Sequence, residues 1–439
     1  MFDETVGDAL RRWREHRGLS LRQLGKLVSY SHVYIWEIEK GAKPPPPEFV
    51  ADCDRRLEAG GQLIAIAARQ RRVEGDARRG TGADFVAEWP ESLDAMTALW
   101  RHDAGRRRFL QDAAYRASAF AIPARHWLDA AVDDAMPVAA DQPVSVEAVR
   151  AATGMFRRLD NLYGGGQIRP ALVRFLNAEV APLLHDGPPE RLGRELVGAV
   201  AEAIQLAGWL AYDMCEHGLA QRYLVQALQL AARAQDRPLG AEILAAMSHQ
   251  AIFLGDNHTA IDLAQAAHRT AARANVAALT AEASVMQAHG YAQLGDEHTS
   301  MRALTDAEAG FDRADRAGDP QWLSYFDEAY LAAISGHCFR ALGHHRQAER
   351  FARRSLDMSS GYQRGRLFNQ LLLGRAHALA GQLDQACAAG HDALDLADQM
   401  SSARAVAHVE RLLGDLRPWR RHPMVEELAE RARLGAVPV

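Results

Sequence analysis

The chain has 439 residues, 48% of them hydrophobic and 24% charged, with a formal net charge of −5 at pH 7. That length predicts two or three domains with room for a sizeable core, and the balance is ordinary for a soluble globular protein. A weakly acidic chain of sequence pI ≈ 6.4 carries no global basic field, so a nucleic-acid function has to rest on a local motif.

No basic-then-apolar run marks a signal peptide. The most apolar stretch, 195–214, includes Glu202 and Gln205 and is too polar to span a bilayer comfortably. Cys53, Cys215, Cys338 and Cys387 are scattered without C-x-x-C spacing, a pattern of reduced cytosolic thiols rather than of disulfides or a zinc site. The expected location is the cytoplasm, with no membrane partner, metal or cofactor. Lysine occurs only at Lys26, Lys40 and Lys43. Beyond residue 43 neither a G-x-x-x-x-G-K-[ST] phosphate loop nor a Schiff-base lysine can exist, and no enzymatic function is expected.

In chain order, 6–16 predicts a helix with Val6, Leu10 and Trp13 on one stripe, ended by Gly18 in the left-handed conformation. Ser20 caps a second helix with Leu21, Leu24 and Val28 inward, and Gly25 sits where two helices approach closely. Ser29 and Tyr30 turn, Ser31 caps a third helix, and a last one over 48–59 closes the unit at Gly60-Gly61. Short helices around a tight turn are the arrangement that lays a recognition helix in a DNA major groove. At about 100° per residue, Ile35 and Ile38 face the core, while Val33, Trp36, Glu37 and Lys40 share the opposite face and His32 lies at its N-terminal edge.

The segment GLSLRQLGKLVSYSHVYIWEIEKG resembles the Xre/Cro-type helix-turn-helix proteins, whose third helix follows S-x-x-x-I-x-x-[IL]-E-x-G. The resemblance covers roughly the first sixty residues. Ser29 stands where the family usually has a turn glycine, and Gly25 where it has alanine. It implies base reading by Ser31, His32, Val33 and Glu37, and phosphate contacts from Arg22, Tyr34, Lys40 and Lys43, which set register without reading sequence. Glu37 suits a cytosine amino group and Val33 a thymine methyl. The other reading of the same face is a surface that docks protein.

The segment 69–84 reads as an Arg- and Gly-rich linker. Helical patterning resumes over 85–135 around Leu93, Met96, Leu99, Trp100, Phe109 and Leu110, and Arg106-Arg107-Arg108 is read as a solvated face. Gly164-Gly165-Gly166 has no strand before it and no Lys-Ser/Thr after it, so it reads as a flexible break between helices rather than a phosphate loop.

From residue 196 a pattern recurs. Helix pairs turn at Gly218, Gly255, Gly295, Gly343 and Gly381, with small residues at fixed offsets around each and Tyr223 an exception. Such a period resembles the tetratricopeptide repeat over about 196–400. The resemblance implies a groove lined by the first helix of each pair. Two rows fall there: Tyr212, His249, His289, His337 and Arg375, and, seven residues earlier, Gln205, Glu242, Glu282, Tyr330 and Phe368. Side chains of this kind suit a peptide, an amphiphilic small molecule or a protein segment, or simply a wet polar wall.

The expected fold is all-α: a helix-turn-helix domain (1–68), the linker (69–84), a helical connecting region (85–195), a repeat array (196–400) and capping helices (401–439). The whole resembles actinobacterial regulators that join an Xre-type reader to tetratricopeptide-like repeats, similar in layout to peptide-pheromone receptors. The resemblance implies a homodimer on a double-stranded DNA operator, controlled by an effector in the groove. The competing expectation is an interaction scaffold whose helix-turn-helix docks protein.

Overall fold

The structure, a computed structural model, describes residues 6–28, 30–39, 45–57, 59, 61–63, 89–104, 115, 119–120, 123–124, 127, 143–185 and 193–435. Lys40, Lys43, Ser29, Arg106 to Arg108, Phe109, Leu110 and the 69–84 segment lie outside them. The described residues contain helices, turns and coil but no strand. They divide between two compact units, Met1–Thr81 and Gly82–Val439.

The first unit holds α1 (Val6–His16), α2 (Leu21–Val28), α3 (His32–Glu39) and α4 (Pro47–Arg56). Gly18 ends α1 at φ 64, with the Leu19 amide donating back to the Arg14 carbonyl; this is the left-handed stop that glycine accepts without strain. Ser20 opens α2 as a reciprocal cap: its hydroxyl takes the Gln23 amide at 3.3 Å and the Gln23 side chain takes its own amide at 2.8 Å. A Cβ on Gly25 would lie 2.6 Å from the Tyr30 carbonyl oxygen, which is why the turn into α3 needs glycine there. Leu10, Leu24, Val28, Ile35, Ile38, Phe49 and Cys53 form the core.

The second unit is an α-solenoid. It begins with α5 (Trp89–Ala104), α6 (Pro143–Tyr163) and α7 (Gly165–Phe175), which runs through a π turn at Leu176–Val180 into α8 (Ala181–His185). Five helix pairs follow: α9 (Arg194–Asp213) with α10 (His217–Ala234), α11 (Arg237–Phe253) with α12 (Asn257–Ala274), α13 (Ala277–Gln293) with α14 (Glu297–Asp312), α15 (Glu328–Ala341) with α16 (His345–Arg354), and α17 (Gln363–Leu379) with α18 (Leu383–Ala397). The chain ends with α19 (Ala403–Asp415) and α20 (Pro423–Gly435). One apolar cluster runs from Leu93 through Trp127 to Met286. Trp127 donates its indole N–H to Thr270 at 3.0 Å and occupies the space that a Cβ on Gly240 would need.

The repeat register differs from the expectation at its first member. Gly255, Gly295, Gly343 and Gly381 hold the tight turns at φ between 72 and 81, but the first turn is made by Cys215 at φ 56, and Gly218 lies inside α10. A left-handed residue after a helix is usually glycine, and the nearest glycine misplaced the turn by three residues. In the observed register, seven residues before each turn stand Gly208, Ser248, Ala288, Gly336 and Gly374. Five after stand Ala220, Ala260, Ser300, Ala348 and Ala386, so the Tyr223 exception disappears. These small residues sit where paired helices touch: the Ser248 hydroxyl donates to the Ala260 carbonyl at 2.8 Å, and Ser300 to Ala288 at 2.9 Å. The long spacing before Gly343 comes from an insertion carrying a 3₁₀ turn, Gln321–Tyr325.

The triple glycine is not a flexible break. The Gly165 amide donates to Asp213 and the Gly166 amide to the Ser401 carbonyl, both at 3.0 Å, while the Ser401 amide returns to the Tyr163 carbonyl at 2.9 Å. A Cβ on Gly164 would lie 2.6 Å from the Ser401 carbonyl oxygen. The glycines admit the backbone from the far end of the array, joining the start of the solenoid to its finish.

Candidate functional site

In the first unit, α3 presents Ser31, His32, Val33 and Trp36 to solvent, with Val33 52% and Trp36 49% exposed. The Ser31 hydroxyl accepts the Tyr34 amide at 3.1 Å and so starts the helix. Arg22 is exposed on α2. Tyr34 is half-buried, stacked on Tyr30 at 5.3 Å and edge-on to Phe49, so its ring is committed to packing. Glu37 keeps its place in α3, but its side chain lies outside the described part. What sequence reasoning missed is the anchor of this helix. Arg14 on α1 grips Glu39 through Nε at 2.6 Å and Nη2 at 2.9 Å, and also donates to the Leu19 carbonyl at 2.9 Å. The glutamate of the family pattern is here a structural partner, and the hydrogen-bonded carboxylate raises the Arg14 pKa.

In the second unit the first helices of the pairs line a cavity of about 240 Å³, together with α6, α19 and the Tyr325 insertion. Nine of the ten groove residues expected from the repeats line it: Gln205, Glu242, Glu282, Tyr330, Phe368, His249, His289, His337 and Arg375. Tyr212 does not; its hydroxyl and His249 Nδ1 pair at 2.9 Å behind the wall. The register shift explains this, because the true first-repeat equivalents are Trp209, which lines the cavity, and Glu202, which accepts from Arg157 at 3.3 Å.

The cavity has two chemically distinct ends. At one, the Tyr325 hydroxyl lies 2.7 Å from Glu282 and also meets Glu242, whose other oxygen accepts from Gln205 at 3.3 Å. Burial raises the pKa of both glutamates, and for Glu282 the neighbouring Glu242 adds to it. Two dry carboxylates this close cannot both ionise cheaply. Tyr325 was missed because the insertion breaks the repeat spacing that made the other lining residues visible.

At the other end stand Arg340, Arg375 and Arg411. Between the two ends His289 and His337 stack at 5.5 Å, and His408 packs on Phe368 at 5.0 Å and Phe253 at 5.6 Å. Burial holds His249, His289, His337 and His408 well below the usual histidine range, reinforced by nearby arginines. Among the described residues no group of three His, Cys, Asp or Glu side chains is placed to hold a metal, and no helix is long and apolar enough to cross a membrane.

A buried ionic chain closes the cavity wall. Arg364 on α17 pairs with Asp160 on α6 and stands 3.8 Å from Asp213 on α9, which in turn lies 3.6 Å from Arg404 on α19. Arg404 sits over Tyr212 and Phe368 at 4.5 Å and Trp209 at 5.1 Å. Residues far apart in sequence thus hold the two ends of the solenoid together.

Residues 5–65 match a family model described as a helix-turn-helix domain. No curated protein matches the chain. The chain therefore carries an N-terminal helix-turn-helix domain of a DNA-binding regulator, followed by a long solenoid of helix pairs.

Proposed function

We propose that the protein is a cytoplasmic, sequence-specific transcription regulator of Xre type. It acts as a homodimer, and its tetratricopeptide-like solenoid binds an effector that controls DNA binding. The observation that carries the effector is the set of buried polar atoms without hydrogen-bond partners on residues that line one cavity: Gln205 Oε1, Glu282 Oε2, His289 Nδ1 and Arg340 Nε. Buried polar groups are nearly always satisfied, so several orphans on residues lining a common space support an occupant. Ser31, His32, Val33 and Glu37 are assigned to base edges and Arg22, Tyr34, Lys40 and Lys43 to phosphates. Small residues recurring at fixed offsets support the tetratricopeptide likeness. An effector acts here only through unequal affinity for DNA-competent and incompetent states.

The test is selection of genomic fragments by the purified protein, followed by titration of the enriched site across salt. Recovery of a motif with a steep salt slope, altered in sequence preference by His32→Ala and Glu37→Ala, supports the reading. A second reading is favoured by the exposed pair Val33 and Trp36, since contiguous apolar surface marks protein contacts. Failure to enrich any sequence even with cell extract present, together with protein capture lost on Trp36→Ala, would decide for a docking scaffold.

A further inference from the structure

The cavity specifies more than the presence of an effector. Arg340, Arg375 and Arg411 meet at one end, and among the described residues Asp415 is the one carboxylate that pairs with any of them, holding Arg375 at 2.6 Å. Arg411 donates to the Phe253 carbonyl at 2.9 Å and lies 4.1 Å from the Phe253 ring. Arg340 Nε is buried without a partner. A guanidinium withdrawn from water without a carboxylate partner is costly, and the partly buried Arg340 and Arg411 beside a cavity define an anion site in which Arg can meet a carboxylate through paired hydrogen bonds. The far end offers the opposite chemistry, Glu242 and Glu282 joined through Tyr325, with Glu282 Oε2 unpartnered.

Geometry limits what connects the ends. On α15, Tyr330 at the carboxyl end and Arg340 at the basic end are ten residues apart, about 15 Å along a helix axis before the side chains reach inward. The volume of about 240 Å³ falls just below the roughly 300–1,000 Å³ of ordinary ligand pockets. Stacked rings form the walls between, and aromatic faces favour flat apolar surfaces.

We propose that this cavity takes a small, flat organic carboxylate whose anionic group sits between Arg340 and Arg411 and whose far end carries a hydroxyl or amine facing Glu242, Glu282 and Tyr325. The assignment rests on the effector reading above and names the ligand class. A linear peptide is disfavoured, because the space is short and Arg364, Asp160, Asp213 and Arg404 close its wall.

The experiment is calorimetric titration of the full-length protein with 4-hydroxyphenylacetate, its neutral amide 4-hydroxyphenylacetamide, and the cation tyramine. The acid is expected to bind with a Kd at or below ~1 mM and at least about tenfold tighter than the amide. The Arg340→Met/Arg411→Met double variant is expected to bind acid and amide alike, while Arg340→Lys keeps the preference. The unliganded double variant is expected to keep a cooperative melting transition, since it removes the unpartnered Arg340 Nε while losing the Arg411 bond to the Phe253 carbonyl. Equal affinity for acid and amide, preference for tyramine, no binding by any probe at ~10 mM, or discrimination surviving the double variant would each overturn the assignment. Operator titration in parallel separates the two readings. Acid binding without a change in operator affinity retains the anion site and removes the control function. Operator affinity that responds to cell extract while the acid shows no preference does the reverse.

Discussion

His289 offers a quantitative test of how dry the cavity wall is. It lies on α13, 8% exposed, stacked on His337, with Nε2 3.2 Å from the Gln293 amide nitrogen. Burial first, then Arg340 and Arg411, bring its pKa down to about 3. The folded value is below the unfolded one, so the stability is fully present above pH 6.5 and lost as pH falls toward 3. In that window the unfolded chain takes up a proton that the folded ring refuses, a loss of about 1.4 kcal/mol per pH unit. At about pH 5 this one ring accounts for ~2 kcal/mol. His289→Gln cannot titrate there and keeps an amide facing Gln293. The assay is urea unfolding of both proteins at about pH 7.5 and about pH 5, with matched denaturant slopes. Wild type is expected to lose ~2 kcal/mol more than the variant between the two conditions. Glu242, Glu282 and Asp160, all raised by burial, push the opposite way, but they are common to both proteins and cancel in the difference. Parallel pH profiles, within ~0.5 kcal/mol, would refute the argument that this ring is held neutral.

Cys215→Gly is expected to stabilise the solenoid by ~0.5–1 kcal/mol, because a side chain at φ 56 is strained where the other turns use glycine; a loss in chemical denaturation would mean that its packing outweighs the strain. Gly164→Ala is expected to cost ~1–3 kcal/mol through its φ of 80 and the Ser401 carbonyl 2.6 Å away. Hydrogen exchange should quicken at the Gly166 and Ser401 amides, and unchanged exchange there would show that the cradle does not hold the C-terminal segment. Glu39→Gln removes the charge from a pair whose side chains are only 11% and 6% exposed. It is expected to cost the helix-turn-helix unit ~1.5–3 kcal/mol, read by thermal melting; an unshifted transition would assign Glu39 no part in holding α3.

The helix-turn-helix was legible because its signals are local. Gly18, the Ser20 cap and the Ile35–Ile38 spacing each act within a few residues, and each has its expected counterpart in the structure. The repeat was legible for a similar reason: close packing of paired helices restricts side-chain size at a fixed distance from every turn. Its first member was misplaced because Cys215 does what the other repeats entrust to glycine. Glu242, Glu282, His249, His289 and His337 could be put on one face by periodicity, whereas Tyr325 sits in an insertion that has no period. The Arg14–Glu39 pair and the Asp160–Arg364 pair join residues far apart in sequence, and nothing in the local pattern distinguishes those arginines from the many others.

The closure of the array and the lining of its cavity draw on the same side chains. Asp160, Arg364 and Arg404 face the cavity and also fasten α6 to α17 and α19 to α9. His408 and Arg411, from the same α19, complete the wall. An occupant of the cavity would therefore touch α6 together with α17 and α19, and its binding free energy would include whatever holds those helices in place. Linkage makes the relation mutual: a change that loosens the ends weakens binding, and an occupant tightens them. The glycine cradle strengthens the argument, since backbone hydrogen bonds from Gly166 and Ser401 cross the same junction and have only two good states, made or broken. A junction of that kind has the discreteness that a ligand-driven population shift requires, and Asp160 and Arg404, which line the cavity, join the same helices.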